Sequence, residues 1–201
     1  MLVIYLTLLS AWLGHPSGLG DDDPLQIVMN RMAEAECCRY EFVSILESEV
    51  FESVDSTAGT ALIGADERYD IRIGPDRYIR TDEFLYSYSG ENKQVTVERV
   101  ESSATPDETI RFITQFDRYY RIHPSSPRRY DLTRKPDIVS NLPQVISLTL
   151  TEAGELEYLD YVDDNGDNNR IVITESSFQY QCDSAAFVPD FPESTEVIKL
   201  Y

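Results

Sequence analysis

Few side chains in this sequence have the type and spacing that enzyme catalysis requires. Only two histidines are present, His15 and His123, and His123 stands directly before Pro124. A serine or cysteine nucleophile would need such an imidazole as its general base. The sequence also lacks a Gly-x-Ser-x-Gly motif, which presents a nucleophilic serine at a sharp turn. We therefore predict no catalytic residue and expect His123 to be structural or exposed.

Metal and cofactor sites have no clear sequence support either. Cys37, Cys38 and Cys182 lack the Cys-x-x-Cys spacing of zinc and redox sites. The Asp/Asn run 163–169 superficially resembles a calcium loop, but Thr174 stands where the loop's last glutamate would be. Its Asn165-Gly166 pair favours a tight type I′ hairpin turn instead. Glycine patterns for nucleotide phosphates are absent, so we predict no metal and no cofactor.

Paired carboxylates are the one catalytic arrangement that the sequence leaves open. With 36 Asp and Glu residues, chance pairs are inevitable, and nothing in the sequence selects one of them. A secreted hydrolase that uses two carboxylates therefore remains an alternative. A deep polar cleft with two facing acids would favour it, whereas an apolar cavity beneath helices would argue against it.

Composition restricts the other function classes. The chain has 201 residues, 17 Lys and Arg against 36 Asp and Glu, a formal net charge of −19, and 42% hydrophobic residues. That apolar fraction and length predict one globular domain. Phosphate backbones are bound through clustered Lys and Arg, so the acidic charge argues against a nucleic-acid partner.

The N-terminal residues predict export. Residues 2–14 are apolar and uncharged, too short to span a membrane as a helix, and are followed by small residues ending at Gly20. We expect a signal peptide over 1–20, a single domain over 21–201, and a soluble, monomeric exported product. In an oxidising compartment three cysteines predict one disulfide and one thiol, with Cys37 or Cys38 bridged to Cys182.

The periodicity of the apolar residues predicts a mainly β, α+β protein. A capping box at Asp23 and Pro24 predicts a first helix over 24–36, and a second capping box predicts a helix over 105–117. About ten strands, in an antiparallel sheet with two or three helices, account for the rest. The apolar faces of the two helices are Leu25, Val28, Met29 and Met32 in the first and Ile110, Ile113 and Phe116 in the second.

Apolar and aromatic side chains on the strands either fill an ordinary core or line part of a cavity. Tyrosine suits a cavity wall because its ring is apolar and its hydroxyl tolerates water. The candidates are Tyr40, Phe42, Tyr69, Ile71, Ile73, Tyr86, Tyr88, Val95 and Val97.

The order of several short motifs is similar to that of the LolA family of periplasmic lipoprotein carriers. A Gly-x-Leu-like strand at 59–63 is followed by an aromatic strand at 86–88, an Asn-x-Val-like strand at 92–97 and a closing Phe/Pro segment at 187–198. The resemblance extends over 24–200. Tyr86 replaces the family's Trp, and Gly64 and Ala65 stand where one branch has a lid-holding arginine, for which Arg68 is the nearest candidate.

The resemblance implies a fold and a function. The fold would be an incomplete antiparallel β-barrel, or half-barrel, whose concave face is covered by the two helices as a movable lid over a cavity for acyl chains. The protein would not be an enzyme. It would accept lipoproteins from an inner-membrane lipoprotein-releasing ABC transporter and deliver them to an outer-membrane acceptor. A carrier or sensor of another amphiphile, such as a glycolipid, and a structural domain with a solid core remain alternatives.

Overall fold

A computed structural model describes residues 19–100, 116–138, 142–179 and 181–201. Residues 1–18 of the expected signal peptide, including His15, and most of the predicted second helix, including Ile110 and Ile113, lie outside these residues. Within the described ranges no helix has the length and apolar character needed to cross a membrane.

Twelve strands and three short helices make up the described chain. Helix α1 spans Pro24–Glu34, α2 spans Phe116–Tyr119, and the 3₁₀ helix η1 spans Ser184–Phe187. The strands are β1 (Cys37–Ser48), β2 (Ser53–Gly64), β3 (Tyr69–Ile73), β4 (Asp76–Arg80), β5 (Phe84–Ser89), β6 (Gln94–Arg99), β7 (Tyr120–Ser126), β8 (Arg129–Arg134), β9 (Val145–Leu150), β10 (Leu156–Val162), β11 (Asn168–Gln179) and β12 (Glu196–Lys199).

All twelve strands belong to one open sheet, in the order β12-β6-β5-β4-β3-β2-β1-β11-β10-β9-β8-β7. Every described neighbouring pair is antiparallel except β12 and β6, which are parallel. Strands β7 and β12 lie at opposite ends and do not pair with each other, so the barrel is not closed. The predicted incomplete antiparallel barrel with helices is therefore confirmed, with twelve strands rather than about ten.

The inner face of the sheet, defined here as the face that α1 covers, carries the main core. Pairing of Tyr40 with Ala61 and of Ala61 with Ile71 aligns these side chains on that face across three strands. The same core cluster includes the far strands, where Leu132, Leu148 and Leu159 are completely buried. The inner face is thus apolar from β3 through β1 to β7.

Local backbone geometry accounts for two of the differences from the predictions, the end of α1 and the turn between β10 and β11. Helix α1 ends at Glu34 rather than at 36, because Ala35 is already extended (φ −79°, ψ 140°) and β1 begins at Cys37. The turn between β10 and β11 is not type I′, which needs two residues at positive φ. Gly166 has φ 88°, whereas Asn165 does not have positive φ. The Asp163 carboxylate instead accepts hydrogen bonds from the backbone N–H groups of Asn165 (2.9 Å) and Asp167 (3.0 Å).

Gly59 on β2 occupies a position where a larger residue does not fit. A Cβ atom there would overlap the Phe42 ring and approach the Arg72 carbonyl oxygen to 2.8 Å. Overpacking of this kind costs about 1–3 kcal/mol, so we expect Gly59→Ala to lower the free energy of urea unfolding by that amount. The matched control is Ser56→Ala, since Ser56 is exposed on the same strand. Equal losses in the two variants would contradict the packing of β2 against Phe42.

Candidate functional site

Helix α1 is built to lie flat on an apolar surface. The Asp23 side chain caps its first turn by accepting a hydrogen bond from Leu25 N (2.9 Å), and Pro24 occupies the first helical position. The inward face then presents Leu25, Val28, Met29 and Met32, all of which are buried against the inner face of the sheet. Apolar contact therefore dominates the attachment of this helix.

Two side-chain contacts also attach α1 to the sheet, one near each end. The Tyr130 hydroxyl on β8 donates to Asp23 Oδ1 at 2.9 Å, so the capping carboxylate bonds to helix and sheet together. Near the other end, the Arg31 guanidinium lies 4.7 Å from the centre of the Phe178 ring on β11. Burial and the bond to Asp23 raise the pKa of Tyr130 to about 12.

A cavity of about 200 Å³ lies between the C-terminal half of α1 and the sheet. Its apolar wall includes Met29, Met32, Cys38 and Ile63, and the Cys38 sulfur lies 3.9 Å from the Met32 carbonyl oxygen. The other described lining residues are Gln26, Asn30, Ala33, Ala35, Gly64, Ala65 and Asp117. The arrangement can hold an apolar group and has no evident means of attacking one.

The core next to the cavity contains two weakly acidic groups in an apolar setting, Cys38 and Tyr40. Burial raises the pKa of the Cys38 thiol to about 11, and burial likewise raises the pKa of the Tyr40 hydroxyl, which interacts with Cys38. The Tyr40 hydroxyl makes no hydrogen bond of good geometry among the described residues. Both groups are therefore neutral at physiological pH.

Alkaline pH should destabilise the fold through Cys38. The folded-state pKa of the Cys38 thiol is about 11, against an ordinary value of 9.0. The neutral thiol therefore makes its full contribution to the free energy of unfolding below pH 9, and this contribution is lost as the pH rises towards 11. Two pKa units correspond to about 2–3 kcal/mol. We expect wild type to lose that much more free energy of urea unfolding between pH 8 and 11 than Cys38→Ala. The same loss in both proteins would show that Cys38 does not carry the effect.

The nine predicted cavity residues do not share one face of the sheet. Strand pairing places Tyr40, Phe42, Tyr69, Ile71 and Ile73 on the inner face. Ile79 pairs with Tyr86, and Tyr86 pairs with Val97, on the opposite, outer face. Tyr88 and Val95 form a further pair there. The sequence prediction thus combines five inner-face residues with four outer-face residues: Tyr86, Tyr88, Val95 and Val97.

Those four outer-face residues lie on the part of the sheet that a C-terminal segment covers. We name residues 181–195 the strap. Phe187 of the strap is 2% exposed, and the Phe191 ring stacks on Tyr88 with a 5.4 Å centroid separation. Arg77 on β4 donates to the Asp190 carbonyl oxygen (2.8 Å) and forms a bidentate ion pair with Asp70. The strap therefore gives the sheet a second apolar layer.

A disulfide fixes one end of the strap. Cys37, on the outer face at the start of β1, is bridged to Cys182 with a Cα–Cα separation of 5.5 Å. Successive residues of a strand point to opposite faces, so Cys38 is on the inner face. Its thiol is buried there and is not part of the disulfide. The predicted disulfide is confirmed, and the structure selects Cys37 over Cys38.

The lid helices lie partly within the described residues. Leu25, Val28, Met29 and Met32 of α1 cover the inner face, and Phe116 of α2 is completely buried in the same cluster. Arg68, the nearest candidate for a lid-holding arginine, is directed to other partners: its Nε donates to Asp66 at 2.7 Å, and its guanidinium lies over Phe187 of the strap. That pairing also lowers the pKa of Asp66.

The remaining chemical candidates are placed at the surface. His123 is exposed on β7, the end strand of the sheet. Among the described residues the buried polar side chains are Gln26 and Ser48, so no described carboxylate is buried. The described residues therefore offer no buried acid to the two-carboxylate alternative.

Comparisons with known proteins show a similar fold in solved structures and do not assign a function to this chain. No protein-family model matches the chain, and no curated protein matches it. The fold is similar to that of an uncharacterized conserved protein from Thermus thermophilus, with a TM-score of 0.52 and 8% identity, covering 87% of this chain and 98% of that one.

Two further solved structures are similar at lower scores. A DUF1329 family protein from Desulfovibrio piger has a TM-score of 0.45 and 11% identity, covering 82% of this chain and 94% of that one. A LolA superfamily protein from Nitrosomonas europaea has a TM-score of 0.44 and 9% identity, covering 82% and 97%.

Proposed function

We propose that this protein is a periplasmic carrier that binds the acyl chains of lipoproteins between α1 and the inner face of the sheet. The observation that supports this most is the continuous apolar inner face, covered by a helix that meets it mainly through apolar side chains. The order of the LolA-like motifs along the sequence points the same way. In this proposal the protein is a binding protein and not an enzyme.

The energetics of acyl chains explain why such a carrier needs a movable lid. Burial is worth about 0.8 kcal/mol per CH₂ group, so a chain of about 15 methylenes left in water costs on the order of 12 kcal/mol. The present cavity of about 200 Å³ is below the roughly 300–1,000 Å³ of typical ligand pockets. A whole chain therefore requires α1 to move away from the sheet.

Displacement of α1 is energetically reasonable because the bound chain replaces the contacts that are lost. When α1 moves, Leu25, Val28, Met29 and Met32 leave an apolar surface that the acyl chain then covers. Met is suited to both states, since its unbranched thioether adapts to irregular partners. The equilibrium shifts by the difference between the two sets of contacts and not by their full value.

The proposed partners follow from this role. Lipoproteins would be received from an inner-membrane lipoprotein-releasing ABC transporter and passed to an outer-membrane acceptor. Purified protein should be incubated with vesicles that contain the transporter and a labelled triacylated lipoprotein. We expect a soluble one-to-one complex after ATP is added. Label that stays with the vesicles in the presence of the protein would contradict the proposal.

Native mass spectrometry of the protein isolated from its own periplasm separates the proposed cargo from another amphiphile. A bound mass equal to that of a lipoprotein supports the proposal, whereas a glycolipid mass would replace it with the alternative carrier. Protein that carries no amphiphile from any source, and binds none when acyl ligands are added, would favour a structural domain.

A further inference from the structure

The cavity under α1 has two chemically different parts. Met29, Met32, Cys38 and Ile63 form an apolar interior, and all four are buried. The polar lining among the described residues consists of Gln26, Asn30 and Asp117. Asn30 is exposed and Asp117 is partly exposed, so these side chains mark the open side of the cavity. An amphiphile would place its chain inside and its head group against them.

From these features we infer that the cavity selects single acyl chains with an uncharged, hydrogen-bonding head group over the same chains with an anionic head group. This inference rests on the proposed function and specifies the ligand that the site accepts. The reasons are the neutral amides at the open side, the carboxylate beside them, and the volume.

The neutral amide of Asn30 at the open side, which is paired with the buried Gln26, is suited to an amide or ester head group. Gln26 Nε2 donates to Asn30 Oδ1 at 2.9 Å, so the two side chains form one amide pair along α1. Primary amides both donate and accept hydrogen bonds. An N-acyl amide presents the complementary C=O and N–H groups and brings no charge into a partly desolvated site.

Charge at the open side disfavours anionic heads. Asp117 is a partly exposed lining residue of the cavity, and the chain as a whole has a net charge of −19. The nearby Lys135 ammonium does not line the cavity and donates to the Asp117 backbone oxygen at 2.7 Å. A carboxylate or phosphate head would therefore meet a like charge in a partly solvent-excluded setting, where repulsion is stronger than in bulk water.

The volume restricts the site to one chain. An apolar cavity of about 150 Å³ is enough to bind benzene, and this cavity is about 200 Å³. It therefore holds a segment of one acyl chain and not two or three chains side by side. A whole chain, and any additional chain, requires the displacement of α1 described above.

The test compares two ligands of equal chain length, dodecanamide and dodecanoate, by calorimetry below their aggregation concentrations at pH 8 and low salt. We expect the amide to bind at least tenfold more tightly. Asp117→Asn should strengthen dodecanoate binding several-fold and leave dodecanamide binding unchanged. The matched control is Asp137→Asn, because Asp137 is an exposed acid in the same region that does not line the cavity.

A second measurement keeps the inference testable if Asp117→Asn does not fold. Raising KCl to 0.5 M screens the repulsion, so the affinity ratio of amide to carboxylate should fall in wild type. Equal affinity for the two ligands, a ratio that does not change with salt, or tighter binding of dodecanoate would overturn the inference while the proposed function stands. Binding of neither ligand, together with the absence of a lipoprotein complex, would overturn both.

Discussion

Removing the disulfide by replacing Cys37 and Cys182 with serine should lower the free energy of unfolding by about 2–5 kcal/mol. The bridge closes a loop of 145 residues in sequence separation, and cross-links of this length restrict the unfolded chain strongly. In the folded protein it fixes the strap, whose Phe187 and Phe191 cover the outer face. Urea unfolding monitored by circular dichroism provides the measurement.

Two controls make this result specific to the bridge. Cys38→Ala keeps the disulfide and should cost less, because only a small buried thiol is removed. Wild type treated with reductant should unfold like the double-serine variant. The sample with reductant must be shown to be fully reduced. If its melting temperature equals that of the oxidised protein, the Cys37–Cys182 bridge has no stabilising role.

Closing the open side of the cavity should remove most acyl-chain binding. Ala33 lines the cavity but is exposed on α1, so Ala33→Trp places an indole ring at the opening with little effect on the packed core. The helix-propensity cost of this change is below about 1 kcal/mol. We expect the affinity for dodecanamide, measured by calorimetry, to fall at least tenfold.

Glu34→Trp is the matched control for this variant. Glu34 is the next residue of the same helix, is exposed and does not line the cavity. It should bind dodecanamide as wild type does. If the two tryptophan variants bind equally well, acyl chains do not use this cavity.

The sequence identifies elements whose signals are local. Asp23 and Pro24 predict the start of α1 because capping depends on neighbouring residues only. Strand β2 (Ser53–Gly64) has mostly small and polar residues in its first half, so its alternation is weak, and it emerges only as part of the LolA-like motif at 59–63. Because β2 lacks clear alternation of apolar and polar residues, the sequence predicts about ten strands where the structure has twelve.

The sequence could not predict which apolar strand residues face the cavity side of the sheet. Period-two alternation places Tyr86 and Tyr88 on one face of β5, but only the pairing of β4 with β5 determines that this is the outer face. The strap covers that face, so apolar residues occur on both sides of this part of the sheet. Alternation therefore could not separate inner from outer residues.

Contacts between segments that are distant in the sequence also cannot be predicted from local patterns. The hydrogen bond from Tyr130 to Asp23 joins residues 107 positions apart, and no local pattern marks Tyr130. Gly64, Ala65 and Asp117 line the cavity from the ends of elements, where periodicity carries no information. For Asp117 the only available signal was its place near the end of the predicted second helix.

Photo-crosslinking tests the central claim, that acyl chains bind between α1 and the inner face, most directly. A dodecanamide with a diazirine at its chain end should be illuminated with the protein, and the adducts located by mass spectrometry of proteolytic peptides. We predict adducts on peptides that contain Met29, Met32, Cys38 or Ile63. Adducts confined to outer-face peptides, such as those with Tyr88 or Phe191, would contradict the account.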